Sequence, residues 1–356
     1  MKAARLHQFT HDPAAVCVEQ VPLPEPGTGQ VRVRMLFSPV NPSDLNFVHG
    51  TYHSALQRMI WNKGQATVCY DPQRRVVCPV PPYTLGGEGV GVVDACGSGF
   101  LARRLLGKRV AIACAPPAGC WQEYSLAEAK KSVVLPAQIS DQQAAMFFVN
   151  PLAAYVMVRE VLRVQPGDWL AISAAGSALG KSVVRMARLY GFKTLCVVRS
   201  ASNSAELLAL GADAVVETDH QDLLAEIWRI TGGKGVQHAL DCVGGVLAGE
   251  LVQCLGLGGQ LLVYGTLSGK PLEVPGRDLM MPLTRISGFF LSNWLALQSP
   301  LKLLWVLRAV KKLTCAGIFE AEVTQVFDLE QVAEALKAAT TSGRTGKVLL
   351  RLGSGD

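Results

Sequence analysis

Trp169-Leu170-Ala171-Ile172-Ser173-Ala174-Ala175-Gly176-Ser177-Ala178-Leu179-Gly180 reads as a short apolar strand, a turn of small residues and the opening of a helix. Helical periodicity continues to Tyr190 and stops at Gly191, the residue type that most readily takes the left-handed conformation closing a helix. Outward from this unit the pattern repeats. A strand over 194–198 precedes a helix over 205–210 closed by Gly211. A strand over 214–217 precedes a helix over 221–231 closed by Gly232-Gly233. Strands over 237–243 and 260–265 flank a further helix, and 286–291 is strand-like. Alternation of this kind predicts an α/β fold, a doubly wound parallel sheet covered on both faces.

The flanks read differently. Up to about residue 135, β-rich runs (30–37, 89–95, 109–114) are punctuated by Pro and Gly, as in Pro22-Leu23-Pro24-Glu25-Pro26-Gly27. After the alternating region come a helix over 301–313, a strand over 320–326, a helix over 329–340 and a strand over 346–352, which are read as rejoining the first part.

At 356 residues the chain can bury two cores. Its composition, 49% apolar and 17% charged, is that of a globular protein. No apolar run approaches the roughly 20 residues that span a bilayer. No signal-like segment opens the sequence, so the cytoplasm is the default expectation, with an organelle after processing as the other. The net charge of +6 is scattered, with no basic stripe interleaved with aromatics, which argues against a nucleic-acid partner. The ten cysteines show no C-x-x-C spacing and read as small buried hydrophobes in a reducing compartment.

The turn at 173–180 keeps one glycine of G-x-G-x-x-G, with Ala175 and Ser177 at the other two places. Its position between strand and helix still predicts a pyrophosphate site, because helix N-terminal N–H groups point at such an anion. The second strand ends Val197-Val198-Arg199-Ser200, with no acid to accept from a ribose 2′-hydroxyl. Arg199 suits a 2′-phosphate instead, so the expected cofactor is NADPH. A plain strand–helix turn and a solvated arginine are the alternatives.

A second polar segment lies early: Asn41-Pro42-Ser43-Asp44-Leu45-Asn46-Phe47-Val48-His49-Gly50-Thr51-Tyr52. It resembles the N-P-S-D-(I/L)-N-x-x-x-G-x-Y segment of the zinc-free 2-enoyl thioester reductases of the medium-chain dehydrogenase/reductase superfamily. The resemblance runs on through Gly86-Gly87-Glu88-Gly89, Asn150-Pro151, Pro166-Gly167-Asp168, Asp241-Cys242-Val243-Gly244-Gly245 and Gly288-Phe289-Phe290-Leu291-Ser292-Asn293-Trp294. It implies a Rossmann domain inserted in a partly β-barrel, GroES-like catalytic domain. The boundaries expected are 1–148 for the catalytic part, 149–291 for the NADPH-binding part, and a return at 292–356.

The resemblance implies Tyr52 as the catalytic donor. It places cofactor contacts at Asn150, Gly176, Ser177, Ala178, Leu179, Arg199, Ser200, Ala201, Tyr264, Gly265, Thr266, Leu267, Phe289, Phe290, Leu291, Ser292 and Lys347. It puts Asn41, Phe290 and Trp294 at the substrate pocket. It implies a small-molecule substrate, an acyl thioester (carried by CoA or acyl carrier protein) or an enone, and a homodimer. Zinc-dependent members ligate metal at the places of Asn41, Gly87 and near Asn150. No thiolate or imidazole stands at any of these, and Asp44 with Glu88 alone suits zinc poorly, so no metal is expected. The resemblance breaks at about 53–80, an insertion carrying Arg58, Trp61, Lys63, Arg74 and Arg75. It is read as lining or lidding the substrate mouth, or else as a surface excursion or dimer contact. The activity expected is NADPH-dependent reduction of an activated C=C bond. A zinc-free quinone or enone reductase and a non-catalytic NADPH-binding protein stay open beside it.

Overall fold

A computed structural model describes residues 1–56, 79–341 and 345–353. Most of the insertion expected at 53–80, with Arg58, Trp61, Lys63, Arg74 and Arg75, therefore lies outside the described residues.

The chain divides into two compact units, Met1–Asn150 with Glu320–Asp356, and Pro151–Phe319. The chain returns to the first unit at Glu320, not at 292 as the sequence reading had it. The helix Pro300–Cys315 belongs to the second unit because its side chains engage that unit. Lys302 pairs with Glu160 at 2.5 Å, and the Trp305 ring lies 6.4 Å from that of Tyr155.

The first unit is built on largely antiparallel sheets, with one parallel pair, Val323–Asp328 beside Lys347–Arg351. Its longest strand, Gln30–Pro39, alternates buried and less buried residues, as a strand with one face on a core must. Val31, Val33 and Met35 face a core shared with Leu6, Tyr83, Leu85 and the fully buried Trp121. Trp121 satisfies its indole N–H on the Pro39 carbonyl at 3.2 Å. Its ring also explains Gly86, where φ is +101° and an added Cβ would lie 2.5 Å from Trp121. The strand Lys347–Arg351 pairs antiparallel with Gln30–Pro39, with Leu349 opposite Pro39. Two residues further along that register, Lys347 falls beside Asn41.

The second unit carries a six-stranded parallel sheet: β1 (Trp169–Ile172), β2 (Lys193–Val198), β3 (Ala214–Glu217), β4 (Val236–Asp241), β5 (Leu255–Val263) and β6 (Arg285–Gly288). Their spatial order is 3-2-1-4-5-6, the doubly wound dinucleotide-binding arrangement. Its inner strands β1 and β2 are near-continuously buried, as sheets covered on both faces require, while the edge strands β3 and β6 are only partly so. Helix α1 (Ala178–Tyr190) ends at Gly191 with φ +73°, the closure read from sequence. One segment differs from expectation: the strand expected over 286–291 ends at Gly288, and Phe290 caps a helix, Leu291–Ala296. Among the described residues no helix is long and apolar enough to cross a membrane.

Candidate functional site

The turn after β1 is folded by local chemistry. Ser177 caps α1, its Oγ accepting the Gly180 N–H at 3.1 Å. A Cβ on Gly180 would stand 2.3 Å from the Ala175 carbonyl oxygen, so this fingerprint glycine cannot be replaced without moving backbone. The positive φ of the turn, +46°, falls on Ala174, one residue before the fingerprint places. Ala175 and Ser177 are thereby spared the conformation that would demand glycine.

The strand order reverses between β1 and β4, and a hydrogen-bond net closes that point. Ser173 Oγ donates to Asp241 Oδ1 at 2.7 Å, and Oδ1 also accepts the Val243 N–H at 3.0 Å. Asp241 Oδ2 accepts the Gly244 N–H at 2.9 Å, and the Cys242 N–H donates to Ser173 Oγ at 3.0 Å. Asp241 is fully buried and was quoted in the sequence only as part of a motif. Its signal, an acid just before Gly244-Gly245, marks a loop whose N–H groups need an acceptor.

The other sequence-derived cofactor residues of this unit follow the carboxyl ends of its strands. Arg199 is exposed just after β2, and Ser200 Oγ lies 3.4 Å from Ser202 Oγ. Ala201 opens a 3₁₀ turn that ends at Asn203. Asn203 escaped the sequence reading; a Cβ on Gly176 would meet its Cγ at 2.7 Å, so the two loops touch. After β5, the Tyr264 N–H donates to the Asp241 carbonyl at 2.8 Å, and the Leu267 N–H to that of Cys242 at 2.9 Å. Burial pushes the Tyr264 phenol well up and also raises the Cys242 thiol beside it. Gly265 fits because a Cβ there would stand 2.9 Å from Cys242. Thr266 is exposed. After β6, the Phe289 N–H donates to Val263, and the Trp294 N–H to the Phe290 carbonyl at 3.0 Å, with Ser292 exposed between. Loops at the strand carboxyl ends, a helix N-terminus at the reversal point and a glycine forced by close approach fit a dinucleotide. The residues that would hold its pyrophosphate are Gly176, Ser177, Ala178 and Leu179.

Asn41, Tyr52, Asn150 and Lys347 all belong to the first unit, where Asn150 opens a helix. Asn41 precedes the helix Pro42–Val48, with Pro42 at the helical start where its missing N–H costs nothing. The Asn41 backbone N–H donates to Asp44 Oδ2 at 2.8 Å. The Asn41 side chain spans two charges: Nδ2 donates to Glu88 Oε1 at 2.9 Å, and Oδ1 accepts from Lys347 Nζ. Glu88 Oε2 accepts the N–H groups of Phe148 at 2.8 Å and Val149 at 2.9 Å. Asn41, Asp44, Glu88 and Lys347 are all buried. Burial pushes Asp44 up to about 7, against the Asn41 and Gly87 N–H groups and Lys347, with Glu88 adding to the rise. Burial also raises Glu88, against the Val149 and Phe148 N–H groups, Lys347 and the Asn41 amide.

Tyr52 lies on the short helix Thr51–Leu56, half-buried, its ring edge-on to Phe47 at 5.1 Å. Burial raises its phenol above 10, opposed by a hydrogen bond with Asn46 and assisted by Asp44. A neutral hydroxyl is what this arrangement presents at pH 7. Among the described residues no group of three or more His, Cys, Asp or Glu side chains is placed to hold a metal.

Comparison with known proteins agrees with this geometry. The family profile described as alcohol dehydrogenase GroES-like domain matches residues 27–137, and that described as zinc-binding dehydrogenase matches 178–305. The mitochondrial enoyl-[acyl-carrier-protein] reductase of Caenorhabditis elegans is 31% identical over 295 residues, covering 82% of this chain and 77% of that protein. The Bos taurus protein of the same name is 29% identical over 349 residues, covering 96% and 86%. A solved structure from Bacillus thuringiensis, provisionally assigned as an NADPH:quinone reductase, superposes with a TM-score of 0.86 at 30% identity, covering 98% of each chain.

Proposed function

The chain belongs to the medium-chain dehydrogenase/reductase superfamily, and on that premise we propose that it is a zinc-independent, NADPH-dependent reductase of 2-enoyl thioesters. The observation that carries this reading is the neutral, half-buried hydroxyl of Tyr52 within the Asn41-to-Tyr52 segment. Supporting it are the dinucleotide fit of the second unit and the enoyl reductase relatives.

In this reading the turn at 173–180 binds the pyrophosphate through helix N–H groups. Arg199, exposed where an acid would bind ribose hydroxyls, pairs with the 2′-phosphate. NADPH, when bound, supplies the hydride that adds to Cβ of the enoyl group. Negative charge then gathers on the thioester oxygen, and the Tyr52 O–H donates a hydrogen bond to it. A donor aimed at developing charge lowers the barrier without needing a metal. Tyr52 also holds the proton that Cα requires, which its raised phenol keeps in place at neutral pH. Phe290 and Trp294 supply apolar surface to the acyl chain. The relatives named above are mitochondrial, which favours an organelle over the cytoplasm, and a homodimer completes the reading.

The test is NADPH consumption with crotonyl-CoA in the parent and in Tyr52→Phe. A drop in kcat of about 10²- to 10³-fold, the usual effect of removing one such donor, is expected. Equal rates would remove Tyr52 from catalysis. The Bacillus thuringiensis similarity favours a second reading, reduction of a quinone or enone. Turnover of those substrates with none on enoyl thioesters would replace the first reading by the second. Tight NADPH binding without turnover of any of them would make the protein a non-catalytic NADPH binder.

A further inference from the structure

Lys181 stands where a cation is least favoured. It closes the first turn of α1, whose N-terminus already carries partial positive charge, and its side chain is only 9% exposed. Its ammonium lies between the two oxygens of Glu206, 2.6 Å from Oε1 and 2.7 Å from Oε2. Glu206 belongs to the first turn of the next helix, α2 (Ser204–Leu210). Between β2 and α2 runs the loop 199–203, with Arg199 at its start and Asn203 against Gly176 at its end. The Arg199 backbone is fixed from the sheet side, its carbonyl accepting the Asp219 N–H at 3.0 Å. The rest of the loop goes where the start of α2 goes. That helix is held at its far end by packing, since a Cβ on Gly211 would lie 2.4 Å from Cδ of Arg188 on α1. At its near end the ties are polar. Ser204 Oγ donates to Glu217 Oε1 at 2.6 Å on the sheet edge, and Glu206 grips Lys181 on the helix meant for the pyrophosphate.

We propose that Lys181 and Glu206 are positioning residues for cofactor choice. Their ion pair holds the start of α2 against α1 and so keeps the loop 199–203 closed around the 2′-phosphate of NADPH. The proposal rests on the NADPH reading of Arg199 and adds what holds its loop in place, whatever the substrate. NADH has no 2′-phosphate. Its pyrophosphate needs only the turn at 173–180, whose shape comes from the Ser177 cap and the close approach at Gly180. The pair therefore bears on one nucleotide and not on the other. An exposed ion pair would contribute little of this kind. Here the lysine is desolvated and both carboxylate oxygens are engaged, which fixes distance as well as charge.

The experiment uses the full chain and the variants Lys181→Met, Lys181→Arg, Glu206→Ala, Arg199→Ala and Arg199→Ala/Lys181→Met. Dissociation constants for NADPH and NADH are read by fluorescence titration, and melting is followed without nucleotide. Lys181→Met and Glu206→Ala are each expected to weaken NADPH about tenfold and to change NADH by less than about twofold. Lys181→Arg keeps the pair and is expected to stay close to the parent. Lys181→Met and Glu206→Ala shift net charge in opposite directions. NADPH affinity moving in opposite directions would therefore mark a field effect of Lys181 and overturn the proposal. Stability separates positioning from folding. Glu206→Ala leaves a buried ammonium unpaired and is expected to melt lower, whereas Lys181→Met leaves Glu206, 46% exposed, to solvent and is expected to melt closer to the parent. NADPH affinity that tracks melting, or an equal loss for both nucleotides, reduces the pair to a structural contact and overturns the proposal. In the Arg199→Ala background, Lys181→Met is expected to weaken NADPH little further, since it acts through a grip already lost. A full second loss overturns it. A selective loss in Arg199→Ala with none in Lys181→Met sinks the clamp and leaves the NADPH reading standing, and no selective loss in either sinks both.

Discussion

Lys347 donates its ammonium proton to Oδ1 of Asn41 across 306 residues of sequence, and the same amide holds Glu88 through its other end. One buried cation therefore serves two buried carboxylates, Glu88 and Asp44, through a neutral bridge. Substitution of Lys347 by Met keeps the stem and deletes the charge. Removing one partner of such a group leaves uncompensated buried charge, at a cost of about 3–5 kcal/mol. Lys347→Met is expected to lower the denaturation midpoint accordingly, whether or not NADPH is present. An unchanged midpoint would mean that solvent, not Lys347, balances these carboxylates.

How legible this was in the sequence depended on range. The elements around β1 and α1 were readable because each is fixed within a dozen residues, by an apolar run, Ser177 at the cap and Gly191 at the end. Arg199, Tyr264 and Phe289 directly follow β2, β5 and β6 in the structure, but the last two were named from the family resemblance and not from a local signal. The Asn41–Lys347 bridge was not, because it depends on Leu349 lying opposite Pro39, a pairing between the two ends of the chain. Phe290 was taken as strand because its apolar run continues that of β6. Its role as a cap is settled by backbone direction, which composition does not carry. Asn203 against Gly176 was missed because a polar residue in a turn has no periodicity to betray it.

Asp44 makes stability depend on pH with a definite sign. Its folded value, about 7, lies above the ordinary 3.8, so the folded state holds a proton that the unfolded chain releases. The favourable contribution is whole below pH 4 and drains away as pH rises to 7. Asp44→Asn keeps an acceptor for the Asn41 N–H but cannot ionise. Relative to the parent it is expected to gain roughly 2–4 kcal/mol on going from pH 4 to pH 8. Thermal melts of both proteins across that range check this. Parallel curves would show that Asp44 titrates normally.

Arg199 sets the choice of cofactor if it meets the 2′-phosphate. Arg199→Ala then removes a charge-assisted contact that NADH never makes. The NADPH dissociation constant is expected to rise about 10- to 100-fold, with that for NADH nearly unchanged. Fluorescence titration with both nucleotides reads this directly. An equal change for the two would show that Arg199 contributes general field and not recognition.

Gly180 is the one fingerprint glycine that the packing demands, and an alanine there tests the cradle itself. The new methyl would start 2.3 Å from the Ala175 carbonyl oxygen, and that neighbour is backbone, not a side chain that can swing aside. Helix and strand must separate, at a cost of about 1–3 kcal/mol, typical of overpacking. That movement displaces the N–H groups meant for the pyrophosphate, so NADPH binding should weaken by more than tenfold, about 1.4 kcal/mol. Gly276→Ala is the matched control, since a Cβ at Gly276 meets nothing within 4 Å. It is expected to leave both melting and NADPH binding as in the parent. Lower stability in Gly180→Ala with undiminished NADPH affinity would separate this turn from the cofactor and place the dinucleotide elsewhere on the sheet.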